Sequence, residues 1–436
     1  MSTKDPIDLG KTRLLEIEKN KNALLVGAYK SNKEKNIRLE HLEELKSLAT
    51  TFGLQTIEKM LVHIRKIETS TYIGSGKVQE IRDLCEEKNI DIVIFDIDIA
   101  PHQQRNLERE IKKTTIDRTE LILGVFAIHA RSNESKLQVK LAQFKYEMPR
   151  LKRMWTHLSR QRTGGKSGGY LKGAGEKQIE IDRQIIKKKI SDLQKDIDKI
   201  KEQRELQRKK RKKNQIPSFA IIGYTNSGKS TLMNALTDAK VLVEDKLFAT
   251  LDTTTRKYTL PNQQQVVVTD TVGFIRKLPH TLIAAFKSTL EEAISSDILI
   301  HLVDVSNENA KVMAEASIEV LKELKADEKP IITCLNKIDE IYDQSFITYF
   351  KLNYPKTVII SALKKEGFED LMDKMIGEIS NLRKIIKLKI PQSYYKLVSE
   401  IIKEGRIISL SYEENDILIE AEIPKMLQKK LEMFIA

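Results

Sequence analysis

"FAIIGYTNSGKST", residues 219–231, is the stretch that decides how this chain folds. An apolar strand-like run leads into Gly223, four residues follow, and then come Gly228, Lys229, Ser230 and a helical run. This is the P-loop pattern in the strand, loop and helix context it requires. Its glycines let backbone N–H groups turn inward around phosphates at a helix N-terminus. The candidate contacts are therefore Gly223, Tyr224, Thr225, Asn226, Ser227, Gly228, Lys229 and Ser230. Lys229 is suited to neutralising the β and γ oxygens, and the Ser230 hydroxyl to ligating Mg²⁺. Two similar stretches fail the pattern: "YIGSGKV" has Thr71 where the first glycine should stand, and "TGGKSGG" has Arg160 there and no strand before it.

Further motifs follow in a fixed order. "QQVVVTDTVG" ends an apolar strand in Asp270, placed to hold Mg²⁺ through water, with Thr271 and Val272 leading to Gly273, where the backbone can approach a γ-phosphate. "PIITCLNKID" ends another strand in Asn336, Lys337, Ile338 and Asp339. A carboxylate at Asp339 accepts two hydrogen bonds from guanine N1–H and its exocyclic amine, a pattern adenine does not offer, so the base is read as guanine. "VIISALKKEG" supplies a third strand end at Ser361, Ala362 and Leu363, suited to a backbone contact to guanine O6. Between the P-loop and Asp270, "KLFATLDTTTRKY" carries the switch residues Phe248, Ala249, Thr250, Leu251 and Asp252, with Thr250 favoured over Thr253 or Thr254 as the second Mg²⁺ ligand. Ligands of doubly wound sheets gather at the C-terminal ends of the strands. Residues 216–380 are accordingly expected to be a P-loop G domain with a doubly wound, mainly parallel α/β sheet, binding GTP and GDP.

The 436-residue chain is too long for one ordinary core. Residues 1–135 alternate apolar runs such as "NALLVGAY" and "IDIVIFDI" with helical patterns, which implies an α/β subdomain with a mainly parallel sheet. From residue 136, Leu137, Leu141, Phe144, Met148, Leu151, Trp155 and Leu158 form a heptad seam, and Ile179, Ile186, Ile190, Leu193, Ile197 and Ile200 form another. Residues 164–175 between them hold six of the 18 glycines, so no helix is expected to continue through. Two apolar stripes around such a connector read as a helical hairpin over 136–213, with Pro149 kinking or dividing its first helix. Residues 383–436 alternate strand, helix, two strands and helix, the pattern of a small α+β module.

The net charge of +13 is concentrated in one place. Residues 145–213 carry 23 Lys and Arg against nine Asp and Glu, an excess of 14, so the remaining residues sum to −1. That is the footprint of a polyanion binder, and Lys and Arg rows with a glycine-rich tip suit RNA phosphates and 2′-hydroxyls. The candidate contacts are Arg160, Arg162, Lys166, Tyr170, Lys172, Lys209, Lys210 and Arg211, with Tyr170 available to stack on a base, whereas Trp155 belongs to the apolar seam. No apolar run approaches the roughly 20 residues a bilayer requires, and the start "MSTKDPIDLG" lacks a signal peptide's apolar core, which points to the cytoplasm. Cys85 and Cys334 stand far apart and read as buried thiols without metal or disulfide.

"GYTNSGKSTLMNAL", "LFATLD", "DTVGFIRKLPHTLIAAFKSTLEE" and "NKID", preceded by "TYIGSGKVQEI", "HARSNESKLQVKLAQFKYEMPRL" and "LSRQ", resemble the HflX family of ribosome-associated GTPases over residues 20–380. The resemblance implies an N-terminal α/β subdomain, a helical hairpin, a Mg²⁺-dependent G domain, a C-terminal module and a monomeric protein that binds the 50S subunit through rRNA. It also implies a part in rescue or splitting of stalled ribosomes or in subunit maturation. Two departures stand out. Thr253 replaces the proline of the family's "FATLDPTTR", and the connector "GGKSGGYLKGAGEKQIE" diverges from the family's "GGIGTRGPGETQLE". An alternative reading is an RNA-binding scaffold in which GTP is a timer and the N-terminal domain has a separate nucleotide-dependent activity.

Phe274 follows the DxxG glycine, where many GTPases keep the glutamine that orients the attacking water. Catalysis is then left to Lys229, Thr250, Gly273 and the loop residue Asn226, three positions before Lys229, as in G proteins that hold K⁺ beside the phosphates. A monovalent cation there spreads positive charge over the transition state as an arginine finger would, and the second candidate for completing the site is the ribosome, by ordering the switches around Thr250 and Gly273. Turnover of GTP is therefore expected to be faster in K⁺ than in Na⁺ buffer of equal ionic strength. Equal rates in the two salts remove K⁺ from the mechanism.

Overall fold

The structure is a computed structural model and describes residues 20–150, 172–213, 216–237, 247–248, 250–276, 294–340, 345–354, 356–404, 406–413 and 415–435. The chain divides into two compact units. The first takes in the described residues of Met1–Glu202, Leu242–Asp252 and Arg276–Thr289, the second those of Gln203–Val241, Thr253–Ile275 and Leu290–Ala436. Sequence spacing placed the switch residues 248–252 within a single G-domain span; in the folded chain Phe248, Thr250, Leu251 and Asp252 group with the N-terminal unit.

In the first unit β1 (Asn22–Tyr29), β2 (Gln55–His63), β3 (Ile92–Phe95) and β4 (Thr114–Asp117) form a parallel sheet in the order β2-β1-β3-β4. β1 and β3 are unbroken apolar runs because helices cover both faces of a parallel sheet. On one face α2 (Ser75–Glu87) and α3 (Pro101–Ile111) bury Val78, Ile81, Cys85, Leu107 and Ile111 against Leu24, Val26, Val93 and Phe95. α1 (Asn32–Phe52) crosses at Gly27, where a Cβ would meet Leu42 Cγ at 3.2 Å. β2 lacks a clean alternating pattern in "QTIEKMLVH", and pairing with β1 is what makes it a strand. The strand order reverses direction between β1 and β3, the place where open α/β sheets form a crevice. α4 (Arg118–His129) starts directly from β4, its N-cap Asp117 accepting a hydrogen bond from the Glu120 N–H at 2.8 Å.

α5 (Asn133–Glu147) ends before Pro149, which sits in a 3₁₀ turn at Met148–Arg150. A 42-residue α6 (Lys172–Lys213) carries the second stripe, and Phe144 clusters with Ile186, Met148, Ile190 and Leu193, joining the two stripes. α6 starts at Lys172, inside the glycine-rich connector that was expected to exclude helix. Gly173 and Gly175 fall in its first turn. A glycine there costs about 1 kcal/mol relative to alanine, which a helix of this length tolerates.

The second unit contains a six-stranded sheet in the order β10-β9-β8-β5-β7-β6. Its strands are β5 (Ser218–Gly223), β6 (Thr254–Thr259), β7 (Gln265–Asp270), β8 (Ile298–Asp304), β9 (Ile331–Asn336) and β10 (Thr357–Ile359). All pair in parallel except β6, an antiparallel edge strand on β7. α7 (Lys229–Thr237), α8 (Ala310–Glu323), α9 (Ser345–Asn353) and α10 (Phe368–Leu382) flank it. The α+β expectation for the C-terminus holds: β11 (Arg383–Pro391), α11 (Tyr395–Glu404), β12 (Arg406–Glu413), β13 (Asp416–Pro424) and α12 (Lys425–Leu431) make an antiparallel sheet in the order β11-β13-β12 with its own apolar cluster. Among the described residues no helix is long and apolar enough to cross a membrane. Cys85 and Cys334 are free and buried, as expected, and burial pushes the Cys85 thiol up to about 11.

His301 is the exception within this core. It lies at 0% exposure in β8, between Gly223-bearing β5 and β9, and neither ring nitrogen has a protein hydrogen-bond partner among the described residues. Burial lowers its pKa to about 4 from 6.5, so it is neutral in the folded protein where the unfolded chain begins to protonate it. The folded state is therefore expected to lose stability as pH falls from about 6.5 toward 4. His301→Leu removes both unmatched nitrogens and should raise stability by about 1–2 kcal/mol and flatten that pH slope, read by urea denaturation between pH 4 and 7.

Candidate nucleotide site

The site is built in the second unit from strand ends. β5 delivers the loop 223–228, and α7 begins at Lys229. Two glycines are required here by crowding and by sign of φ. Gly223 has φ +150°, and a Cβ on it would stand 2.3 Å from the Leu302 carbonyl oxygen. Gly228 has φ +92°, and a Cβ would stand 2.3 Å from Asn336 Nδ2. Asn226, exposed at the turn of the loop, has φ +62°, a conformation that asparagine tolerates better than most residues.

Lys229 is buried and its ammonium donates to the Tyr224 carbonyl at 2.7 Å, folding the side chain back over the loop. Burial pulls its pKa down to about 8, against the opposing charge of Asp270, which raises it. Ser230 Oγ donates to Asp270 Oδ2 at 2.7 Å, which brings the two oxygen groups predicted for Mg²⁺ side by side. Mg²⁺ takes hard oxygen ligands and keeps several waters, so a hydroxyl beside a fully buried carboxylate fits it. Thr271 Oγ1 donates to the Ile221 carbonyl at 2.7 Å, which ties its hydroxyl to the backbone of β5. A Cβ on Gly273 would meet Thr225 Cα at 2.8 Å and Lys229 Nζ at 2.9 Å, so this glycine's backbone lies directly on the loop.

Phe274 has a role that the sequence did not disclose. Its N–H donates to the Gly223 carbonyl at 2.9 Å, and its carbonyl accepts from the Thr225 N–H at 2.7 Å. Its ring is 2% exposed and belongs to the core. The residue is a clasp between the phosphate loop and the chain after β7. The signal that could have found it is its apolar neighbour Ile275, also 2% exposed, which marks a segment entering the core.

At the base end, Asn336 donates through Nδ2 to the Ser227 carbonyl at 2.8 Å and accepts at Oδ1 from the Ala362 N–H at 2.9 Å. One buried amide thus ties the phosphate loop, β9 and the segment after β10 together. Lys337, with φ +65°, reaches Asp304 Oδ2 at 2.7 Å. The Ser361 hydroxyl beside Asp339 holds its carboxyl below the usual carboxylate range, with Lys364 3.9 Å away. Ile338 shares the short 3₁₀ turn with Asp339, and Leu363 is exposed.

Phe248, Thr250, Leu251 and Asp252 belong to the first unit, and Ala249 lies outside the described residues. There Phe248 packs edge-on against Phe126 with ring centroids 4.6 Å apart, and Leu251 is 1% exposed. Asp252 accepts hydrogen bonds from the N–H groups of Arg131 at 3.1 Å and Ser132 at 2.9 Å and from the Ser132 hydroxyl. Burial raises its carboxyl and these bonds outweigh it, holding it below the usual range. Arg276, three residues past Gly273, is also in the first unit, where its guanidinium meets Glu44 at 3.3 Å and Asp96 at 3.5 Å. Arg118 joins the same carboxylates at 2.8 and 3.1 Å and donates to the Arg276 carbonyl at 3.1 Å. Of the RNA candidates, Arg160, Arg162, Lys166 and Tyr170 lie outside the described residues, while Lys172, Lys209, Lys210 and Arg211 fall on α6.

Three family models match the chain in order: a GTP-binding GTPase N-terminal region at residues 39–127, a GTP-binding GTPase middle region at 129–211, and a 50S ribosome-binding GTPase at 218–337. The GTPase HflX of Chlamydia pneumoniae is 45% identical over 415 residues, covering 95% of this chain and 88% of that protein. The GTPase HflX of Akkermansia muciniphila is 40% identical and covers 95% of this chain and 97% of its own, and that of Escherichia coli K12 is 39% identical with 78% and 80% covered. Among solved structures, a GTP-binding protein from Sulfolobus solfataricus in complex with GDP is 28% identical, with a TM-score of 0.43 over 83% of this chain and 99% of that one.

The lowered pKa of Lys229 has a measurable consequence. A phosphate beside the ammonium raises its pKa, so above pH 8 binding must first restore a proton that the free protein has lost. GDP affinity is expected to be flat below pH 8 and to weaken above it, approaching about tenfold per pH unit, in fluorescence titrations from pH 7 to 9.5. An affinity independent of pH over that range rules out a titrating Lys229.

Proposed function

The chain belongs to the HflX family of GTPases, and from that premise we propose that it binds the large ribosomal subunit through rRNA in its GTP state and acts on stalled ribosomes or on subunits being assembled. The observation that carries this reading is the order of matches along one chain: N-terminal, middle and 50S ribosome-binding GTPase regions follow one another from residue 39 to 337. The excess of 14 positive charges in residues 145–213 supports it, since phosphate contacts supply most of the affinity for RNA.

In this reading the reaction is attack of water on the γ-phosphorus of GTP, with cleavage of its bond to the β–γ bridging oxygen. Lys229 carries positive charge to the β and γ oxygens, and the backbone at Gly273 approaches the γ-phosphate closely because nothing larger than hydrogen fits there. Ser230 and Thr250 would hold Mg²⁺ through their hydroxyl oxygens and Asp270 through a water, and a bound ion would supply positive charge against the phosphates. Asp339 selects guanine, with Ser361 and Ala362 at its O6 side. Asn226 is the residue that would hold K⁺. Phe274 leaves the attacking water without a side chain to orient it, so ordering of the switch residues by the ribosome completes the site.

Cosedimentation with 30S, 50S and 70S particles tests the reading. Binding to 50S is expected to be stronger with a non-hydrolysable GTP analogue than with GDP, and added 50S to raise GTP turnover at least tenfold. Binding indifferent to nucleotide, together with a turnover rate unmoved by 50S, overturns it.

A further inference from the structure

Asp252 lies two residues beyond Thr250, within a stretch that sequence spacing assigns wholly to nucleotide contact. Its carboxylate is spent elsewhere. The first N–H groups of a helix have no partner inside the helix, and the helix dipole makes that end favourable to negative charge. At α5 the Asp252 carboxylate takes the Arg131 and Ser132 N–H groups just before the helix, while Ser132 Oγ caps it by accepting from the Ser135 N–H at 3.0 Å.

Three further contacts hold the same few residues to the first unit. The Leu247 N–H donates to Thr51 Oγ1 at 3.3 Å. Phe248, although it adopts the left-handed φ of +58° that a bulky side chain disfavours, stays there with its ring against Phe126. Leu251 is buried. Residues on both sides of Thr250 are thus fixed to the N-terminal unit, and the charged contact is the one that a single isosteric substitution removes.

We propose that Asp252 is a positioning residue: through the start of α5 it fixes where Thr250 stands, and so sets how well the protein distinguishes GTP from GDP. The inference rests on the reading of Thr250 as the Mg²⁺ ligand that senses the γ-phosphate. A residue acting only on stability would alter the binding of both nucleotides alike. Loss of positioning alters GTP alone, because GDP does not engage Thr250.

The test measures affinity for a non-hydrolysable GTP analogue and for GDP, in Mg²⁺, on the full-length chain and its variants. Asp252→Asn keeps the side chain's shape and removes its charge. It is expected to weaken the GTP analogue about tenfold while GDP stays within twofold, the size of one charge-assisted hydrogen-bond set. Ser132→Ala, which removes the hydroxyl donor from the other side, should move the same ratio about threefold, and the double variant should fall short of the product of the two effects. Thr250→Ala is the control for the underlying reading. If it lowers the GTP-to-GDP ratio and Asp252→Asn and Ser132→Ala do not, only the positioning inference falls. If Thr250→Ala leaves the ratio unchanged, the assignment of Thr250 falls and takes the inference with it. Equal weakening of both nucleotides by Asp252→Asn also overturns it.

Discussion

Two main-chain hydrogen bonds, from Phe274 N–H to the Gly223 carbonyl and from Thr225 N–H to the Phe274 carbonyl, hold the phosphate loop against the segment leaving β7. Nearly every feature of the site follows from that closeness. Gly273 must lack a side chain because Thr225 and Lys229 occupy its space, and Gly223 must lack one because β8 does. Lys229 is buried by the same packing, and desolvation is what lowers its pKa. The Asn336 amide then ties the other side of the loop to β9 and to Ala362. A buried amide that meets two partners at once is costly to remove, since it leaves both unmatched.

The segments that follow Thr250 and Gly273 are held differently. Asp252 and Arg276 lie two and three residues beyond Thr250 and Gly273, and both side chains are engaged within the N-terminal unit. Arg276 enters the reversal between β1 and β3, where Asp96 follows β3 directly and Glu44 projects from α1. Open α/β sheets place ligands in such crevices, and here the occupant is a guanidinium of the chain's own GTPase segment. A charge set of two carboxylates and two guanidinium groups is stable as a whole and poor in any part, because losing one member leaves a buried charge unpaired.

How much of this was legible in the sequence depended on whether the constraint was local. The P-loop, Asp270 and Asn336 were readable because they stand where strands end, with Gly273 and Asp339 three residues further on, and main-chain geometry there admits few residue types. The helical stripes were readable from their spacing, and Phe144 and Ile186 do cluster. β2 was not, since its strand character comes from pairing with β1 and not from its own alternation. The partners of Asp252 and Arg276 stand 120 and 232 residues away, and no pattern within either segment encodes them. His301 reads as an ordinary strand residue until both its neighbours and its nitrogens are seen.

Phe274 shows why the missing glutamine is a structural condition and not an omission. Its backbone is committed on both sides to the loop, which fixes the direction of its side chain, and that direction leads into the core. A glutamine in the same place would carry its amide into apolar surroundings, where an unmatched polar group costs about 1–3 kcal/mol. To keep that amide matched it would have to turn out of the core and leave empty the apolar space that the Phe274 ring fills. The packing beneath the loop therefore favours an apolar side chain over glutamine at this position.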